Sequence, residues 1–187
     1  MKTINYNITL HTYWHCGSGL AAGAATDALV IKDKCGMPFV PGKTIKGLVR
    51  EALDIFATDK ADNWVHVFGK EGDIRSESFF TNAVMDKKEH DFIVSQNASS
   101  YMYRTLASTA IDDNGIAVDN SLRSIQVTVP CTLTGEIQNV PDDMIEPLSY
   151  ALKYIKRLGQ WRNRGLGRCT MTVSEICNNQ VMKGGEQ

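Results

Sequence analysis

Apolar and polar residues alternate at the start of the chain, where Ile4, Tyr6, Ile8 and Leu10 are separated by Asn5, Asn7 and Thr9. This period of two predicts a half-buried strand, because successive side chains on extended backbone point to opposite faces. The period changes in PGKTIKGLVREALDIF (41–56), where Ile45, Leu48, Val49, Ala52, Leu53 and Phe56 form one stripe at helical spacing. A helix is predicted there, with Thr44 as its cap. A second apolar stripe, Ile145, Leu148, Ala151, Leu152, Ile155 and Leu158, predicts a helix over residues 143–161, with Pro147 in its first turns.

Shorter runs predict further strands at Ala28 to Lys32, FFTNAVM (79–85), Thr132 to Ile137 and CTMTVSEI (169–176). From Asp86 to about Thr128 the pattern is polar and aperiodic, with hairpin signals at Asp112-Asp113-Asn114-Gly115 and Asp119-Asn120. Such a stretch is more often a functional loop than core. Residues 86–128 are therefore expected as an insertion, and trimming residues 92–104 is expected to leave the domain folded. The order strand, helix, strand, insertion, strand, helix, strand fits a single domain over 1–187 of the α+β class, with a ferredoxin-like (RRM-like) fold.

Composition narrows the function classes. The chain is 43% hydrophobic and 22% charged, as in globular proteins. No apolar run reaches membrane length, and the first residues lack the apolar segment of a signal peptide. The five cysteines are scattered, with no CxxC pair, so a reduced, cytoplasmic protein is expected. A net charge of −1 confines any nucleic-acid binding to local basic clusters.

Candidate chemistry lies in a few places. Gly36 and Gly42-Lys43-Thr44 approach the phosphate loop G-x-x-x-x-G-K-[ST], but the spacing is one residue too long. Pro38 and Pro41 lack an N–H, and Phe39 and Val40 are bulky, so the backbone cannot wrap a triphosphate. What remains is a stiff turn delivering Lys43 and Thr44 to a helix start, itself a good phosphate site. Lys43, Lys46 and Arg50 share an edge near Gly47, an unfavourable residue in a helix. Either a ligand approaches the backbone there, or this is a solvated basic face with a close helix–sheet contact. In RNRGLGRC (162–169), Arg162, Arg164 and Arg168 interleave with Gly165 and Gly167. This is a second cationic, glycine-containing phosphate candidate, or a plain loop. Asp27 and Asp33 are candidate metal ligands and His15 a candidate base; on spacing alone, each is more often a turn residue or a satisfied polar group. Asp33 is the better fit to the turn at Lys34-Cys35-Gly36. No Ser/His/Asp order, HExxH or cysteine–histidine zinc spacing occurs.

The run from His15 through PGKTIKGLVR (41–50) resembles the N-terminal signature of the RAMP superfamily: a glycine-rich loop, an aspartate-containing short strand, and a P-G-[ST]-[ST]-[LI]-K-G-x-x-R segment. VFG (67–69) with FFTNAVMD (79–86) resembles a further element of that family, with Asn82 where aspartate is usual. Residues 104–137 resemble its thumb and following strand, and GLGRC (165–169) its C-terminal glycine-rich loop. The similarity extends to the backbone subunits of type III CRISPR effectors, the Csm and Cmr complexes of antiviral defence.

The resemblance implies a thumb-type insertion and guide RNA (crRNA) held by Lys43, Thr44, Lys46, Arg50, Arg162, Arg164, Gly165, Gly167 and Arg168. It implies target single-stranded RNA, further copies of the chain and other effector subunits as partners, with no membrane. It places Asp27 as the residue that promotes cleavage of target RNA with Mg²⁺ or another divalent cation. The alternatives are a non-catalytic guide-binding subunit with Asp27 inert, and a guide-processing endoribonuclease using His15.

Overall fold

The computed structural model describes residues 1–21, 26–56, 63–69 and 75–178. In chain order the elements are β1 (Lys2–Leu10), α1 (Gly42–Phe56), α2 (Asn63–Phe68), β2 (Phe79–Phe80), α3 (Lys87–Ser95), β3 (Tyr103–Ser108), β4 (Arg123–Thr128), β5 (Thr132–Val140), α4 (Ile145–Tyr154) and β6 (Cys169–Asn178). A four-stranded sheet has the order β2-β5-β1-β6, with every neighbouring pair antiparallel. Helix α1 connects β1 to β2 and α4 connects β5 to β6. Each helix thus spans two strands separated by a third, which is the split βαβ arrangement of the ferredoxin-like fold.

The alternation along β1 does what it predicts. Ile4, Tyr6, Ile8 and Leu10 are buried, while Asn5 and Asn7 lie on the opposite face. The buried face receives Ile45, Val49, Ala52 and Leu53 of α1 and Leu148, Ala151 and Leu152 of α4. Each such Ile, Leu or Val side chain contributes about 1.5–3 kcal/mol of burial, and each alanine methyl less.

Helix α1 begins at Gly42, after Pro41, so Thr44 lies inside the first turn and does not cap it. Proline suits this position because it presets φ and needs no N–H partner. The helix predicted over 143–161 ends at Tyr154, because Ile155 turns extended (φ −66°, ψ 115°). Residues beyond it pair across the chain instead: Leu158 N–H donates to Gly167 O and Cys169 N–H to Lys156 O, each at 2.9 Å. Leu158 is buried in this ladder, which is why its spacing imitates a helix. The strand predicted over 79–85 is broken after Phe80. Thr81 still pairs with Glu136, and the chain rejoins at the Val84–Thr134 bridge.

Residues between β2 and β5 form α3 and the separate β3–β4 hairpin. Residues 109–120 at its tip are exposed, and Asp112 Oδ1 closes the tip by accepting from Asn114 N–H and Ile116 N–H at 2.9 and 2.8 Å. The base of the hairpin belongs to the core, contrary to expectation. Met102 and Tyr103 are buried there, Val129 N–H donates to Met102 O at 2.9 Å, and the Tyr103 hydroxyl donates to Gly36 O at 2.7 Å. Removing residues 92–104 would open that core, so a chain trimmed there would not keep a folded domain.

Candidate functional site

Two adjoining clefts lie beside the start of α1. The first, about 200 Å³, is lined by His15, Gly17, Ser18, Lys43, Thr44 and Gln160 among others. The second, about 260 Å³, is lined by His15, Gly17, Leu20, Asp27 and Gln160 among others. They share His15, Gly17 and Gln160 as a common wall, with Lys43 and Thr44 lining the first and Asp27 the second. The glycine loop expected over 16–25 forms one wall, although residues 22–25 fall outside the described part of the chain.

His15 ties the two clefts together. Its Nδ1–H donates to Gln126 O at 2.6 Å, and its carbonyl accepts from Gln160 N–H at 2.9 Å. Gly159 beside it has φ +83°, and a Cβ there would strike the His15 carbonyl, so the close approach requires glycine. His15 is fully buried, and among the described residues its Nε2 has no hydrogen-bond partner. A Cβ placed on Gly17 would stand 3.2 Å from that nitrogen. As folded, His15 is a buried clamp rather than an accessible base.

Asp27 is exposed and held to the hairpin. Its N–H donates to Ser124 O at 2.8 Å, and its Oδ2 accepts from Ser124 N–H at 2.6 Å. One carboxylate oxygen is therefore engaged, and among the described residues Oδ1 has no partner. Asp33, by contrast, closes the turn as predicted: Oδ1 accepts from Cys35 N–H and Met37 N–H, both at 2.8 Å.

The basic edge of α1 is real, but its glycines do different work from that expected. Gly42 N–H donates to Asn82 Oδ1 at 3.0 Å, and a Cβ at Gly42 would collide with the Phe80 carbonyl. This glycine packs α1 onto β2, and its N–H is not free to cradle a phosphate. Gly47 is the opposite case: a Cβ there meets open space, so no helix–sheet contact explains it. Lys43 and Arg50 are exposed. Partial burial, and then the nearby Arg50 charge, lower the pKa of Lys46.

The arginine loop is divided. Arg162 makes a two-bond ion pair with Glu51 of α1, at 3.1 and 3.0 Å, and lines a separate groove of about 440 Å³ between α1 and α4. Gly167 has φ +65°, and a Cβ there would collide with the Leu158 carbonyl; its N–H donates to Tyr13 O. It is a packing residue. Gly165 (φ +92°) has open space around it, Arg164 lies 5.7 Å from the Trp161 ring centroid, and Arg168 is exposed. The residues gathered at the two clefts are thus Asp27, His15, Lys43 and Thr44.

Gln160, which sits at the join of the two clefts, was missed because the periodicity assigned it to a helix. Leu158-Gly159 is the signal available for it: glycine after a last apolar residue is a stop. The open face of the sheet carries Asn5 and Asn7 on β1 and Thr134 and Glu136 on β5. It lacks, on these central strands, the aromatic platform on which RRM domains stack bases.

The comparisons agree with this architecture. A chain of type III-B Cmr-beta bound to cognate target RNA is similar, with a TM-score of 0.71 and 12% identity, covering 91% of this chain and 96% of that one. A chain of type III-B Cmr-beta in the apo state matches at TM-score 0.71 and 13% identity, covering 92% and 97%. No curated protein sequence matches. Among the described residues, no helix is long and apolar enough to cross a membrane. The model of the RAMP superfamily matches residues 7–170, and the chain belongs to that superfamily.

Proposed function

We propose that the chain is a backbone subunit of a type III CRISPR effector, binding guide RNA and cutting complementary target RNA with the help of Asp27. The observation that carries this reading is the adjacency of the two clefts, which share His15, Gly17 and Gln160. The exposed Lys43 side chain offers a cation for a phosphate at one end, and an exposed carboxylate stands at the other. The structural neighbours, one of them solved with target RNA, support an effector role.

The residues present fit a divalent cation in one specific way. Among the described residues, one Asp27 carboxylate oxygen has no partner, and no second carboxylate lines either cleft. Mg²⁺ accepts such a sparse donor set, because it keeps several waters and completes its shell with substrate phosphate oxygens. Bound there, it would offset charge developing on the scissile phosphate. The chain's own contribution is positioning: the Asp27–Ser124 pair fixes the carboxylate, and the hairpin beside it holds the RNA for attack by the adjacent ribose 2′-hydroxyl.

A second reading keeps the RNA binding and makes Asp27 inert. Its hydrogen bond to Ser124 N–H is the observation in favour, since that bond alone is a structural reason for an acceptor at this position. The guide-processing reading loses support, because His15 Nε2 is buried behind Gly17. The test is to purify the chain from its own cells with its partners and sequence the RNA that comes with it. Guide-length RNAs sharing a repeat-derived end support the proposal; absence of RNA, or random fragments, overturns it.

A further inference from the structure

The turn after Asp33 meets α3. Asp33, Cys35 and His90 each present one ligand atom there, all three within 4.8 Å of one another. Asp33 Oδ2 lies 3.0 Å from His90 Nε2. We propose that these residues bind one zinc ion, which staples α3 to the turn at 33–37. Thiolate, imidazole and carboxylate are the ligand types zinc takes, and three protein ligands leave a fourth position for water. A thiolate selects zinc over magnesium.

The surroundings suit ligation. Asp33 Oδ1 is already held by Cys35 N–H and Met37 N–H, so Oδ2 is the oxygen that points to the cation. The other ring nitrogen of His90, Nδ1, lies 3.2 Å from Asp91 Oδ1. Ligating histidines commonly use their second nitrogen this way, which fixes the ring. Bond lengths of zinc complexes place neighbouring ligand atoms roughly 3.3–3.8 Å apart, so side-chain torsions of surface residues are enough to close the site. Among the described residues Cys35 is also the one exposed thiol: Cys16 and Cys131 are pushed up to about 12 by burial and Cys169 to about 11.

The staple has a structural purpose. None of the α3 residues is fully buried, and among the described residues the helix packs on the core through partly buried Ile93 and Val94. A cation shared between His90 and the turn would supply the fixation that packing does not. No linear motif reveals this, because His90 lies more than fifty residues from its partners.

The test uses the full chain, reduced and stripped with a chelator, then titrated with zinc chloride or cobalt chloride alone. The site predicts one ion per chain and a cobalt–thiolate charge-transfer band in the near ultraviolet. It also predicts a rise in Tm with zinc and protection of Cys35 from alkylation, read by mass spectrometry. Cys35→Ser should abolish the band, and His90→Ala should weaken zinc binding at least about 100-fold, since it removes a ligand and not merely a supporting group. If the unmodified chain shows no band and its Cys35 alkylates equally with and without zinc, the proposal is overturned. Zinc that protects Cys177 instead overturns it too. Both results come from the unmodified chain, so they stand even if a variant fails to fold.

Discussion

Asp27 and Ser124 are joined by two hydrogen bonds, one through the Asp27 backbone N–H at 2.8 Å and one through its carboxylate at 2.6 Å. The loop that carries the candidate catalytic residue is thereby fastened to β4, a strand of the inserted hairpin. Anything that orders the hairpin also orders Asp27.

Gly42 and Gly47 lie five residues apart on α1 and should respond oppositely to alanine. Gly42→Ala drives a Cβ into the Phe80 carbonyl and should destabilise the domain by about 1–3 kcal/mol or more. Gly47→Ala meets open space and should stabilise it by up to about 1 kcal/mol through helix propensity. Urea unfolding reads both. If RNA approaches the helix at Gly47, the same stabilised variant should bind guide RNA more weakly; unchanged binding would remove Gly47 from the interface.

The basic residues should separate by salt dependence. Replacing Lys46 and Arg50 with alanine should weaken guide-RNA binding and reduce the slope of log K against log salt by roughly 0.7 for each phosphate no longer neutralised. Arg162→Ala should leave the slope nearly unchanged, because that guanidinium is held by Glu51. A filter-binding titration in which Arg162→Ala flattens the slope and the α1 pair does not would reverse the assignment.

The hairpin tip should be dispensable for folding. Replacing residues 110–120 with a two-residue Asn-Gly turn removes only exposed side chains, so stability should change by no more than about 0.5 kcal/mol. Ile111, Ile116 and Val118 are exposed in that tip, and their loss should impair assembly on RNA. Deleting residues 92–104 should instead unfold the domain, since Met102 and Tyr103 go with it. Normal assembly by the tip-trimmed chain would show that the hairpin has no part in binding.

Much of this architecture was legible in local pattern. The period-two burial of β1 and the apolar stripe of α1 follow from side-chain geometry along a single element, and the split βαβ order follows from the sequence of elements. What escaped was set by pairing between distant segments. Leu158 has helical spacing from Leu152 and Ile155, but its N–H pairs with Gly167, and that ladder ends α4 early. Tyr103 belongs to an aperiodic stretch yet is buried, because its ring reaches the turn at Gly36. At the two clefts, Asp27, Lys43 and Thr44 were legible as residue types in a family-like pattern. Gln160 and the Ser124 partner of Asp27 were not, because no spacing rule links residue 27 to residue 124.

The central claim is that Asp27 acts in cleavage and not only in holding the loop, and Asp27→Asn separates the two roles. The amide oxygen can still accept from Ser124 N–H, so folding and RNA binding should persist, but the charge is gone. The decisive measurement is target-RNA cleavage by the assembled complex with Mg²⁺, compared at equal target occupancy. Regularly spaced cuts are expected from the unmodified complex, none from Asp27→Asn, and none where the cut position carries a 2′-deoxy substitution. Cutting by the Asp27→Asn complex at the unmodified rate would contradict it and leave Asp27 a structural acceptor.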